Sequence, residues 1–293
     1  MGGAGARPGA ADRATARSRV YGHVGAFGIG SGSAGGCGGS IAAAPIPLPR
    51  SRQAGRPHPI ALNDRVAFIG KSWSGKTTAA LELVRGAAAS IVADERAGNR
   101  SDPPWRVVAI DSKRSAEDQP RFEAIGPICE DRAAVWRAAR PGAVYRPPWD
   151  PETGSVEPIQ AIAEEAYRRG NVLLYCDEYR EAVVSTVFAG RSLLRVFQQG
   201  RGRNVGLWGA TQEPVYVPRQ LLSQATHVLL FDLFYPPDQD VARALNPDWQ
   251  RPPDDHGFYY LHVDGRGSWL YFRNKDEFAR SLLSMDDFPH SPR

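Results

Sequence analysis

Residues Gly70-Lys71-Ser72-Trp73-Ser74-Gly75-Lys76-Thr77 have the spacing G-x-x-x-x-G-K-[ST], the Walker A pattern. Each fixed position has a chemical task. Gly70 and Gly75 let the backbone curl so that consecutive N–H groups face a triphosphate, and Lys76 brings a positive charge to its outer phosphates. The Thr77 hydroxyl is placed to ligate Mg²⁺, and Ser72, Ser74 and Thr78 complete the phosphate-facing set. The competing reading is a glycine turn with no ligand. Against it stand the apolar strand Val66–Ile69 before the loop and the run Ala79–Val84 after it, a helix whose N-terminal dipole favours an anion. The pattern therefore predicts a nucleotide and Mg²⁺ as ligands.

Hydrolysis needs a metal anchor and a group that activates water. About a hundred residues further on, Val172–Cys176 runs into Asp177 and Glu178. Asp177 would hold Mg²⁺ and Glu178 would polarise the attacking water, although an acidic loop after a core strand is common in α/β folds. The next apolar strand ends in Ala210-Thr211-Gln212. An amide at the C-terminal tip of a parallel strand can bond both a phosphate oxygen and a water, or simply cap a loop. Before that strand, Gly200-Arg201-Gly202-Arg203 offers two arginines on a flexible loop. They suit a neighbour's nucleotide site, nucleic-acid phosphates, or plain solvent. Asp111 and Lys113 follow another strand at its ligand-side end and could order the site, contact DNA or form a surface ion pair.

The elements that must position these groups are legible as an alternation. Apolar strands at 66–69, 106–110, 143–145, 172–176, 205–210 and 227–231 alternate with helical patterns at 77–89, 131–139, 159–169 and 193–199. This predicts an α/β fold with a mostly parallel sheet covered by helices on both faces. The stretches 94–105 and 147–158 read as loops. Phe258–Leu261 and Trp269–Phe272, flanking Asp264-Gly265-Arg266-Gly267, read as a β-hairpin. Residues 61–293 thus form one ATPase-sized domain ending in a short hairpin extension.

The first 60 residues read differently. Residues 1–45 hold 13 glycines and 11 alanines with no apolar periodicity, and 45–59 is rich in proline and arginine. Such a segment cannot bury enough surface to offset its chain entropy, so 1–60 is expected to be a disordered tail and linker. The net charge of +4 is concentrated there: residues 1–58 carry seven arginines against one aspartate, leaving 29 basic and 31 acidic groups for the rest. A near-neutral body excludes nucleic-acid binding through a global field and requires a local patch. Three scattered cysteines support neither a disulfide framework nor a zinc site, and no apolar run reaches membrane-spanning length. The expected setting is intracellular, with no membrane span.

Taken together, Gly70–Thr77, Asp111-x-Lys113, Asp177-Glu178, Gly200-Arg201 and Ala210-Thr211-Gln212-Glu213-Pro214 resemble the HerA/FtsK superfamily of DNA-pumping ATPases over residues 62–235. The ungapped stretch 200–214 is the most specific part. The resemblance implies a RecA-like P-loop core, a homo-oligomeric ring (usually a hexamer), and double-stranded DNA moved by ATP hydrolysis. It makes Lys76 and Thr77 the phosphate and Mg²⁺ ligands, Asp177 the metal carboxylate and Glu178 the activator of water. Gln212 becomes the sensor, and Arg201 a finger acting in trans, with Arg203 as the rival. No winged-helix unit of the FtsK kind and no room for a HerA-type N-terminal barrel are evident. The stripped form is similar to the genome-packaging ATPases of membrane-containing tailless phages. That implies capsid or portal-vertex proteins as partners, and the host cytoplasm or virion vertex as location. The alternatives are a conjugation-type or HerA-like translocase, a nucleotide-binding virion component without motor activity, and a small-molecule kinase. The Asp177-Glu178 pair and Gln212 argue against the kinase.

Overall fold

The computed structural model describes residues 57–138, 141–151, 154–262 and 269–283. Residues 1–56 of the expected tail, and the turn expected at 264–267, lie outside these. Nine strands alternate with helices: β1 (Arg65–Ile69), α1 (Lys76–Arg96), β2 (Arg106–Ile110), α2 (Gln119–Glu123), β3 (Ile128–Cys129), α3 (Arg132–Arg137), β4 (Gly142–Tyr145), α4 (Val156–Arg169) and β5 (Val172–Cys176). There follow α5 (Tyr179–Ala182), α6 (Arg191–Gln199), β6 (Val205–Thr211), α7 (Arg219–Ser223), β7 (His227–Leu230), α8 (Pro236–Leu245), β8 (Phe258–His262), β9 (Leu270–Phe272) and α9 (Lys275–Leu283).

They form one sheet in the order β3-β4-β2-β5-β6-β1-β7-β8-β9. The seven strands from β3 to β7 run parallel, and β8 and β9 add antiparallel pairs at one side. Strand side chains alternate between the two faces, and so does the core. Ala67 and Ile69 of β1 pack with Ile159, Leu193 and Leu221 from α4, α6 and α7. Val66 and Phe68 pack with Leu81, Phe122 and Phe278 from α1, α2 and α9. Helices therefore cover both faces, which is why β5 and β6 are buried along their whole length.

The differences from expectation are local. The first helix continues to Arg96, seven residues beyond the expected end, with Ile91 extending its buried face by a further turn. The helix α4 starts at Val156, inside the expected loop, with Pro158 in its first turn where no N–H is needed. The two-residue edge strand β3 and the short helices α2, α5 and α7 were not expected, since two to five residues carry no readable period. The helix α8 was missed because Pro236-Pro237 reads as a loop, although proline is at home at a helix start. The linker boundary drawn at residue 60 meets packing on its near side. Ile60 is buried, the His58 ring stacks on His262 at 3.8 Å, and the Tyr260 hydroxyl donates to the His58 carbonyl at 2.9 Å.

Candidate nucleotide site

Parallel strands put the C-terminal ends of β1, β2, β5 and β6 on one edge, and the expected residues leave from those ends. After Ile69 the chain turns through Gly70–Gly75 and enters α1 at Lys76. The loop is stitched to both neighbouring strands: Gly70 N–H donates to the Thr211 carbonyl at 3.1 Å, and Lys71 N–H to that of Asp232 at 2.8 Å. At Gly70 a Cβ would lie 2.5 Å from that of Phe231, so only glycine permits this approach. Gly75 adopts φ +83°, the left-handed turn that redirects backbone N–H groups toward the helix axis. Ser74 is buried and its hydroxyl donates to the Lys71 carbonyl at 2.9 Å, so it braces the loop from inside. Trp73 has φ +65° and is 80% exposed at the loop's tip, a strained backbone for a bulky residue.

Lys71, Ser72, Gly75, Lys76, Thr77, Thr78, Lys113 and Gln212 line a single cleft, which continues along Ser115, Glu117, Asp118 and Arg121. Lys76 is almost completely buried, with its ammonium 3.4 Å from the Thr77 hydroxyl. Burial, and then the positive charge of Lys113, push its pKa down to about 8. A buried ammonium at a helix start, facing an open cleft, is an unsatisfied cation that a phosphate would satisfy. The Gln212 side chain reaches this loop directly, as Ser72 Oγ donates to Gln212 Oε1 at 2.6 Å.

Behind the cleft stand Asp177 and Glu178, 1% and 6% exposed. The Tyr175 hydroxyl donates to Asp177 Oδ1 at 2.9 Å, fixing that carboxylate. Glu178 Oε1 is buried and, among the described residues, has no hydrogen-bond partner. The Lys113 ammonium lies 3.5 Å from Asp177 Oδ2 and 3.3 Å from Glu178 Oε2. Burial alone would depress Lys113, but the two carboxylates outweigh it and its pKa lies above the usual lysine value. Of the three readings open for Asp111 and Lys113, ordering the site matches this geometry. Asp111 is fully buried and holds the Arg146 guanidinium at 2.8 Å and the Arg114 N–H at 2.9 Å, which shapes the loop that carries Lys113.

Hard oxygen donors suit Mg²⁺. The Thr77 hydroxyl and the Asp177 carboxylate supply them, and the unpartnered Glu178 Oε1 leaves an acceptor for a water, so the residues present fit the ion.

The structure thus brings together Gly70, Ser72, Ser74, Gly75, Lys76, Thr77, Thr78, Asp177, Glu178 and Gln212. It does not bring Arg201 to them. Arg201 lies in the single 3₁₀ turn Gly200–Arg203 before β6, at the opposite end of a seven-residue strand from Gln212. That separation is roughly 20 Å at about 3.3 Å per residue. Arg203 is committed elsewhere, donating to the Tyr167 and Arg168 carbonyls at 3.4 and 2.8 Å. Arg201 is exposed and, among the described residues, its side chain forms neither a hydrogen bond nor an ion pair, although its charge acts on Asp64 and Arg65.

Sequence reasoning missed a second shell of charge. Lys71 pairs with Asp232 at 2.5 Å, and Arg251 grips the same carboxylate through two bonds of 2.9 Å. Burial works against the charged Asp232, yet the bonds from Arg251 and Lys71 hold its pKa below the usual range. Position at the tip of β7 was the one available signal for Asp232; Arg251 had none.

No protein-family model matches the chain, and no curated protein sequence matches it. Among solved structures, the genome-packaging NTPase B204 of Sulfolobus turreted icosahedral virus 2 in complex with AMP aligns with TM-score 0.53 and 14% identity, covering 73% of this chain and 99% of that one. The same NTPase with AMPPCP aligns with TM-score 0.51 and 13% identity, covering 73% and 100%. At such identities the fold is what is shared, and the resemblance noted in the motifs holds at that level. The chain has the RecA-like P-loop fold of these NTPases.

Proposed function

We propose that the chain hydrolyses ATP and uses the hydrolysis to drive double-stranded DNA through a homo-oligomeric ring, in the packaging of a viral genome. The observation that carries the hydrolytic reading is the buried, unpartnered Glu178 Oε1 at a strand tip beside the phosphate loop. A carboxylate oxygen with nothing to accept is available for the proton of an attacking water. The loop N–H groups and Lys76 bind and orient the phosphates, and the Gln212 amide, tied to Ser72, is placed to align the water. Thr77 and Asp177 would hold Mg²⁺, which when bound neutralises charge on the phosphate oxygens. The motor and packaging parts rest on the motif set that resembles HerA/FtsK and on the shared fold with a genome-packaging NTPase. Among the described residues no helix is long and apolar enough to cross a membrane.

The test is ATP turnover with Mg²⁺, with and without double-stranded DNA, in three forms of the chain. Lys76→Ala is expected to lose ATP affinity, because the charge on the phosphates is gone. Glu178→Gln is expected to bind ATP as the parent does while turning it over about 10²–10⁴ times more slowly, the usual range for losing a general base. Equal loss of affinity in both variants contradicts these roles. Turnover that ignores DNA removes the motor part and leaves the hydrolase.

A further inference from the structure

We infer that Lys113 is a second cationic ligand for the terminal phosphate of the nucleotide, held in the free chain on the two carboxylates that it later leaves. The inference rests on reading the cleft as an ATP site.

Three acceptors surround the Lys113 ammonium: Asp177 Oδ2 at 3.5 Å, Glu178 Oε2 at 3.3 Å and the Asp177 carbonyl at 3.5 Å. Charge-assisted N–H···O bonds close to about 2.7–2.9 Å when they are made well. No acceptor here holds the ammonium at that distance, so it is shared among three and committed to none. Its side chain is 25% exposed and lines the cleft beside Lys76 and Thr77. Two ammonium groups facing one cleft repel each other; Asp177 and Glu178 offset part of that repulsion, and a phosphate between the two ammonium groups would offset more. The flexible four-carbon stem lets a lysine exchange partners without moving the backbone.

The exchange has a chemical consequence. While Lys113 sits on Glu178 Oε2, it occupies one of the two oxygens that could accept from a water. When a terminal phosphate draws the ammonium away, both Glu178 oxygens become available to the attacking water. The phosphate that is to be attacked thus releases the base that attacks it. A diphosphate lacks the group that would draw Lys113, so the carboxylates keep their cation.

Titration calorimetry on the full chain tests this with two probes, ADP and a β,γ-non-hydrolysable ATP analogue, each with Mg²⁺. Lys113→Met is expected to lose about tenfold in affinity for the analogue, the size of one charge-assisted hydrogen bond, and less than twofold for ADP. Lys113→Arg keeps most of the analogue affinity. Lys113→Met leaves two buried carboxylates without their cation and can fail to fold. A second comparison, Lys113→Met/Glu178→Gln against Glu178→Gln alone, leaves only Asp177 without the lysine, with the Tyr175 hydroxyl still donating to it, and is expected to show the same analogue-specific loss. Equal losses for both nucleotides, or no loss, overturn the inference while leaving the ATP site intact. Failure of the unsubstituted chain to bind either nucleotide overturns both.

Discussion

As a general base Glu178 would have to be both buried and charged, and its surroundings bear on how two requirements that oppose each other could be met. Removing a carboxylate from water is expensive unless a counter-charge goes with it. Lys113 provides that charge on one oxygen and nothing occupies the other. Gln212 is under a lighter constraint. Its carbonyl oxygen takes the Ser72 hydroxyl, which leaves the amide N–H groups to face the cleft. Gln212→Ala is therefore expected to change ATP affinity little and to lower turnover by about 10–100-fold, since it misaligns water without removing a charge. An affinity loss as large as the turnover loss would make Gln212 a binding group instead. At this scale the sequence was most legible where a residue's task is set by its neighbours in the chain, as in Gly70–Thr77. It was least legible where partners meet across the fold, as Lys71, Asp232 and Arg251 do.

Strand tips position the groups, and strands must be held in register to do so. A Cβ at Gly209 of β6 would run into the Tyr179 ring, and Tyr179 follows Glu178 directly. The bare backbone of Gly209 thus lets the first residue of α5 lie flat on β6, which locks the strand bearing Gln212 to the turn bearing Glu178. Gly209→Ala is expected to cost about 1–3 kcal/mol by overpacking and to slow turnover as well. Denaturant midpoints and ATPase rates check both, and a fully stable, fully active variant would show that the two elements are not coupled. At the other end of β1, Asp64 and His227 form a buried pair at 3.0 Å. Burial raises the Asp64 pKa, but the bonds from His227 and the Ala61 N–H lower it further, to below the ordinary 3.8. A depressed carboxylate stabilises above its unfolded value and loses that contribution as pH falls through the folded one. Asp64→Asn is thus expected to be less stable than the parent at pH 7, with the gap closing below about pH 4. A gap that stays constant from pH 7 to 3 refutes the assignment. The strand–helix alternation was readable because period-2 and period-3.6 patterns are local. The short helices and β3 carry less than one period each.

Taken whole, the molecule keeps its candidate nucleotide cleft and Arg201 at opposite ends of its strands. An arginine that cannot reach its own cleft is left with solvent, nucleic-acid phosphates or a neighbour's cleft, and a finger of the last kind would contribute about 10³–10⁵ in rate. Arg201→Ala is expected to bind ATP normally and hydrolyse it very slowly. Mixed with Lys76→Ala, which has an empty cleft but an intact finger, it should regain activity, as read by turnover in rings shown to be mixed by native mass measurement. Absence of rescue in such rings removes the trans role. Arg203→Ala, whose guanidinium is spent on α4 carbonyls, is expected to retain turnover.

The ends of the sheet bear on how copies could meet. Its outermost strands, β3 and β9, are only two and three residues long. Long open edges are templates on which further chains add strands, in ordered fibres or in aggregates. Edges this short offer few free N–H and C=O groups, so copies of the chain have little opportunity to join by continuing the sheet. A nine-stranded sheet bounded by such short edges is a poor seed for a fibril.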